Sequence, residues 1–261
     1  MKIIDIHTHI YPEEIARKAT DSVREFYSLG DGSMDGTAAT LMARGREVGI
    51  TDFVTLPVAI RPDRVSGIND FIHQQAQQNS CFIPFGTVHA GMTDMNEEVA
   101  RLLDMGMKGI KLHPDCQRFP IDDPRLYPMY EAVRGHIPVM LHMGDPRYDH
   151  SHPARLRRVL ELFPGLDVIA AHFGGYSMYE TARELLQDTD CVMDISSSLM
   201  FMDEGVAEGY INTYGAERLA YGTDYPLWNP AIEVNRFLRL NLTADQFEQI
   251  AHKTAERILN L

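Results

Sequence analysis

The feature that most restricts this chain is a change of period that repeats eight times. Short apolar runs at 3–10, 51–57, 82–89, 107–113, 137–142, 166–172, 191–196 and 218–224 read as strands. Between and after them, helical spacing occupies 37–48, 63–77, 95–105, 123–135, 153–163, 176–187, 203–214, 231–238 and 243–259. Strands separated by helices pair in parallel, because a helical crossover returns the chain to the same edge of the sheet. Eight such units close as a (β/α)₈ TIM barrel, an α/β fold whose usual size is about 250 residues. The 261 residues therefore read as a single domain, 1–261, with no repeat, linker or low-complexity tract. An open doubly wound sheet that bound a dinucleotide would carry a Gly-rich first turn, and none is present.

One segment interrupts the alternation. After the first strand, Pro12 opens a helix with Ile15, Ala19, Val23 and Phe26 at helical spacing, followed by the glycine-rich stretch 29–36. Asp31, Ser33, Asp35 and Gly36 imitate the start of a calcium loop, but Met42 stands where a bidentate Glu is required. Segment 11–36 is thus expected to be an inserted helix and loop, with a lid as its use.

Polar residues fall at the ends of the strand candidates. His7 and His9 end the first, Lys111 and His113 the fourth, His142 the fifth, His172 the sixth and Asp224 the eighth. In a barrel these ends share one face, where active sites are built. Alternation places His7 and His9 on one side of their strand, roughly 6.6 Å apart, with Asp5 one step behind. It also places Met140 beneath His142, Ala170 beneath His172 and Gly222 beneath Asp224. Imidazoles with a carboxylate are the donors expected for zinc, manganese or another divalent ion. His113, Arg147, Tyr148, His150, His152, Tyr225 and Trp228 are candidates for the substrate-facing rim, Arg147 as a bidentate partner for a carboxylate.

Composition narrows the partners. A net charge of −13 argues against nucleic acid and anionic membrane, both of which favour a basic face. Three scattered cysteines, Cys81, Cys116 and Cys191, without a C-x-x-C make neither a disulfide framework nor a cysteine zinc site. The expectation is a cytoplasmic protein with a small-molecule substrate, no membrane span and a homodimer as its assembly.

The pieces Asp5-Ile-His-Thr-His9, Gly109-Ile-Lys-Leu-His-Pro114, Leu141-His142, Ala171-His-Phe-Gly-Gly175 and Gly222-Thr-Asp-Tyr-Pro226 resemble the amidohydrolase superfamily. The branch most similar contains the aminocarboxymuconate-semialdehyde and resorcylate decarboxylases, together with related metal-dependent hydrolases. That resemblance implies one of two ion arrangements. In the first, the favoured one, His7, His9, His142 and Asp224 hold one ion, and His172 stays free to polarise or deprotonate. In the second, a carbamylated Lys111 bridges two ions, with His142 and His172 on the second. An unmodified ammonium beside a dication is repelled, so Lys111 is carbamylated, neutral or turned to a carboxylate. The implied enzyme is a metal-dependent hydrolase of a small carboxylated amide, ester or lactone, acting through a metal-activated water, with Asp224 as base and His172 stabilising the oxyanion. The alternative on the same site is a non-oxidative decarboxylase or hydratase, a lyase. A nuclease of similar N-terminal motif would call for an acid where Lys111 stands.

Overall fold

The computed structural model describes residues 2–261. Each apolar run forms a strand shorter than itself: β1 (Ile3–Thr8), β2 (Ile50–Thr55), β3 in two pieces (Phe82–Pro84 and Gly86–Thr87), β4 (Ile110–Leu112), β5 (Val139–Leu141), β6 (Val168–Ala170), β7 (Val192–Asp194) and β8 (Leu219–Ala220). All pairings are parallel and join sequence neighbours. At the break in β3 the Phe85 N–H still donates to Thr55 O on β2, whereas the Gly86 N–H donates to Gly109 O before β4. The Phe85 ring fills the space over Gly109, where a Cβ would stand 2.3 Å from it, so only glycine fits. The last strand returns to the first: Ile6 N–H donates to Tyr221 O at 2.9 Å, Asp224 N–H to His7 O at 2.8 Å and His9 N–H to Tyr225 O at 2.7 Å. The fold is the (β/α)₈ barrel. No helix among the described residues is long and apolar enough to cross a membrane.

Two layers of core follow from strand alternation. Ile110, Leu112, Val139, Leu141, Val168 and Ala170 belong to the large cluster that the helices cover. A second cluster gathers Ile4, Ile6, Val54, Ile83, Phe85, Met140, Ile169, Val192 and Ala220, joined by Ala255, Ile258 and Leu259 of the final helix. This second set is the barrel interior. β4 adds nothing apolar to it: between Ile110 and Leu112 stands Lys111, with 0% of its surface exposed.

Beside the polar rim, simple alternation fails at two places. Register between β1 and β2 shifts between Asp5 and Thr8, where three steps on β1 match two on β2. Such a bulge re-aims the side chains after it. At the end of β6 it is Ile169, not Ala170, that joins the interior cluster. His172 and Phe173 then adopt left-handed backbone, φ 60° and 51°, which redirects the His172 ring.

The inserted segment forms α1 (Glu13–Phe26), followed by a loop leading to α2 (Ala38–Glu47). The face that α1 buries is Ala16, Thr20 and Arg24, not its apolar stripe. Arg24 ties the segment together: its guanidinium donates to Gly30 O at 2.6 Å, to Asp31 O at 3.3 Å and to Leu227 O at 2.8 Å on the barrel.

Candidate active site

Helix α1 lays Ile15, Ala19 and Val23 against a cavity of about 440 Å³ over the C-terminal ends of the strands. Val58, Ile60, Pro226 and Leu227 complete its apolar walls, and Lys18 stands among the lining side chains. The floor is polar: His7, His9, His113, His142 and Asp224, with Tyr11, Tyr27 and Cys116 beside them.

Each imidazole is held by its second nitrogen, which fixes where its other nitrogen points. His7 Nδ1 lies 2.8 Å from Asp194 Oδ2 and 3.0 Å from Ser196 Oγ. His9 Nδ1 lies 2.7 Å from Leu56 O. His172 Nδ1 lies 3.0 Å from Ser196 O. The Nε2 atoms of His7 and His9 then stand 3.5 and 3.6 Å from Asp224 Oδ1. His172 Nε2 instead meets His142 Nδ1 at 3.1 Å.

Charges follow from burial and neighbours. Burial lowers His9 to about 3 and His172 to about 4, and holds His113 and His142 well below the usual imidazole range. These rings are therefore neutral at physiological pH, with a lone pair to offer. Burial alone would raise Asp224, but His7, His172, His9 and a hydrogen bond from Ser197 Oγ hold it down to about 2. Asp194 stays ionised well below the carboxylate range for similar reasons: burial is outweighed by His7, His172 and the Ser196 hydroxyl. Burial brings Lys111 down to about 8 against the pull of Asp194 and Asp224.

The donor set fits a divalent ion. Among the described residues, His7, His9 and Asp224 place one ligand atom each within 4.8 Å of the others, and both histidines are already locked in the ligating tautomer by Asp194 and Leu56. His142, the fourth ligand of the favoured single-ion set, is not in that group and pairs with His172. The expected four therefore do not form one group, and His172 also lies with His7 and Asp194 in a second. Lys111 Nζ stands 3.3 Å from His7 Nε2, and no carboxylate lies within ion-pair reach of it among the described residues. That removes the third option for this lysine.

The rim differs from its expectation. Only His113 of the proposed substrate-facing residues lines this cavity. Arg147 is spent on Asp145, at 2.9 and 2.7 Å, and lies over the Phe26 ring at 4.7 Å, so it fastens the end of α1. Tyr148 stacks on Phe26 outside the cavity. Tyr225 turns its hydroxyl to Asp35 and Thr37 O. Trp228 Nε1 donates to Ser197 Oγ at 2.7 Å and so supports Asp224 from behind. His152 accepts the Ala154 N–H as a helix cap. Asp5, expected beneath the first pair, bonds none of the imidazole rings: it accepts from His7 N–H and from Thr223 N–H and Oγ1–H, pinning β1 to β8.

Several site residues escaped the sequence. Asp194 had a usable signal, since it ends β7 as the other polar residues end theirs. Tyr27 had none. Its hydroxyl stands 2.7 Å from His113 Nε2 and 3.2 Å from His142 Nε2 only because the insertion folds back over the barrel.

The sequence profile of the family described as Amidohydrolase matches residues 4–261. No curated protein matches the chain. Among solved structures, an uncharacterised TIM-barrel protein from Bordetella bronchiseptica is 22% identical with a TM-score of 0.83, over 100% of this chain and 99% of that one. A 2,6-dihydroxybenzoate decarboxylase from Rhizobium is 17% identical, TM-score 0.75, over 100% and 99%. A 5-carboxyvanillate decarboxylase from Novosphingobium aromaticivorans, complexed with manganese and 4-hydroxy-3-methoxy-5-nitrobenzoic acid, is 17% identical, TM-score 0.76, over 99% and 96%. At these identities the likeness is one of fold.

Proposed function

The chain belongs to the amidohydrolase family, and from that premise we propose a metal-dependent hydrolase of a small amide, ester or lactone whose apolar body carries a carboxylate. The observation that carries this reading is Lys111. It is a fully buried amine at the polar floor, without a carboxylate partner, and burial gives it a neutral fraction at physiological pH. A neutral amine adds CO₂, forming an N–C bond and releasing a proton. The resulting carbamate would supply an anionic ligand between the two donor groups, His7 with His9 and Asp224, and His142 with His172. Those groups would hold one divalent ion each, zinc by ligand type.

A divalent ion held there would supply Lewis acidity, lowering the pKa of water and polarising the substrate oxygen. Asp224 takes the proton from the attacking water and returns it to the leaving group. Ser197, itself bonded by Trp228, keeps Oδ2 occupied and the carboxylate oriented. The apolar walls receive the body of the substrate, and Lys18 replaces Arg147 as the cation for its carboxylate.

A second reading, non-oxidative decarboxylation, is favoured by the apolar walls and by the decarboxylases that share the fold. Solvent isotopes separate the two. Turnover of a panel of carboxylated lactones, esters and amides in oxygen-18 water should place one label in the product. Release of CO₂ with solvent deuterium at the vacated carbon, and no oxygen label, would establish the lyase.

Segment 11–36 is proposed as the cover of this cavity, held down by Arg24. An Arg24→Ala change should cost about 2 kcal/mol, in the range for lost charged hydrogen bonds. It should speed amide exchange across 11–36 while β5 stays protected. Unchanged exchange in that segment would show that Arg24 does not hold it.

A further inference from the structure

The Tyr27 hydroxyl and the rings around it form a chain of hydrogen bonds whose direction is settled by its ends. Burial keeps His113, His142 and His172 neutral, so each ring has one N–H to give and one lone pair to receive. At one end His172 Nδ1 faces Ser196 O at 3.0 Å. A carbonyl accepts and does not donate, and Ser196 Oγ, also 3.0 Å away, spends its proton on Asp194 Oδ1 at 2.5 Å. His172 therefore carries its proton on Nδ1 and keeps its lone pair on Nε2. His142 Nδ1, 3.1 Å from that lone pair, is the N–H that fills it, which leaves the His142 lone pair on Nε2. The Tyr27 hydroxyl, 3.2 Å from His142 Nε2, gives its one proton there. Its oxygen then accepts from His113 Nε2–H at 2.7 Å, a shorter contact than the 3.6 Å from that nitrogen to Cys116 Sγ. The far end agrees, because His113 Nδ1 is left as an acceptor and takes the Cys116 N–H at 3.4 Å. Four side chains thus point one way, from the Cys116 amide to the Ser196 carbonyl, with every ring nitrogen paired. Tyr176, edge-on at 5.6 Å, and the Arg147 guanidinium at 5.4 Å hold the Tyr27 ring in place.

We infer that Tyr27 is a positioning residue that withholds His142 from a metal ion while segment 11–36 is closed, a role that rests on the reading that His142 and His172 hold the second ion. Both routes to ligation break the chain. Through Nε2, an ion has to displace the Tyr27 hydroxyl from the lone pair it bonds. Through Nδ1, beside His172, the His142 ring has to carry its proton on Nε2, where it meets the proton of Tyr27. The hydroxyl then has to turn away, and the nitrogen it would turn to, His113 Nε2, already bears a proton because Nδ1 of that ring accepts the Cys116 N–H. Either way loading costs a hydrogen bond that a side chain without the hydroxyl never makes. His7, His9 and Asp224 lie outside the chain, so the first ion does not compete with it. The closed segment favours one ion, and withdrawal of Tyr27 with the segment admits the second.

The test reads tautomers and binding rather than turnover. In the metal-stripped full chain labelled with nitrogen-15 histidine, long-range proton–nitrogen spectra should show His142 and His172 protonated on Nδ1 and His113 on Nε2. The opposite tautomer at any of the three overturns the chain. Zinc titration of the same protein by calorimetry should show one tight equivalent and one weaker. Tyr27→Phe should tighten the second about two- to tenfold, the range for one net hydrogen bond, and leave the first unchanged. Arg24→Ala, which loosens the segment but keeps the hydroxyl, should shift the second in the same direction. In a His142→Asn background neither change should alter zinc binding. Equal second-ion affinity in the wild type and Tyr27→Phe, no second equivalent in either, or a gain that survives His142→Asn overturns the role of Tyr27. No shift in Arg24→Ala overturns its dependence on the segment. The oxygen-18 result is independent of these readouts, so failure of the hydrolase reading by itself leaves the role of Tyr27 standing.

Discussion

Asp224→Asn is expected to give a folded protein that has lost between about 10²- and 10⁴-fold of its turnover, the range for a missing acid–base group. The fold should survive because the amide is nearly isosteric and because Asp224 sits at φ 59°, a left-handed conformation that asparagine tolerates well. The Asp224 N–H still donates to His7 O, so the junction of β8 with β1 is untouched. What changes is the chemistry at the carboxylate. An amide oxygen does not take up the proton of an attacking water at neutral pH. Its NH₂ also competes for the Nε2 lone pairs of His7 and His9, which now face Oδ1 at 3.5 and 3.6 Å. Rate and metal content measured on one preparation separate these losses. A variant that keeps its metal and its turnover would show that Asp224 is neither base nor ligand.

The second large effect is on the metal itself. Changing His7→Ala together with His9→Ala should remove at least one bound ion per chain and reduce turnover to background. The two rings provide the only imidazole nitrogens that converge on Asp224 Oδ1 among the described residues. Loss of the His7 ring also leaves Asp194 without one partner, although Ser196 Oγ–H and the N–H groups of Ser196 and His172 still donate to it. His9→Ala disturbs less, since the His9 ring gives up its contact with Leu56 O and its approach to Asp224 Oδ1 but holds no buried carboxylate as His7 does, and it serves as the control should the double variant unfold. Metal analysis beside circular dichroism decides the matter. A folded double variant with undiminished metal would place the ion elsewhere.

The covering segment bears on these experiments as well. Tyr27 belongs to the insertion yet touches His113 and His142, so the segment is linked to both rings through that hydroxyl. Arg24→Ala and Tyr27→Phe perturb that link from opposite ends. The first loosens the segment and leaves the hydroxyl; the second keeps the segment anchored and deletes the contact.

The sequence alone determined the alternation of strands and helices, the barrel and the presence of His7, His9, His142, His172 and Asp224 at one face. It could do so because both inferences are local: periodicity reports which residues are strand or helix, and every parallel strand of a barrel ends at the same rim. Tertiary structure decided which of those residues meet. The bulge in β1 and the left-handed turn at His172 steer rings that simple alternation sends elsewhere. Arg147 was lost to Asp145, Lys111 was left without a carboxylate, and Tyr27 was brought in by the inserted segment folding back over the barrel. Side-chain direction at a strand's end depends on what its distant neighbours bond to, and no local pattern in the chain encodes that.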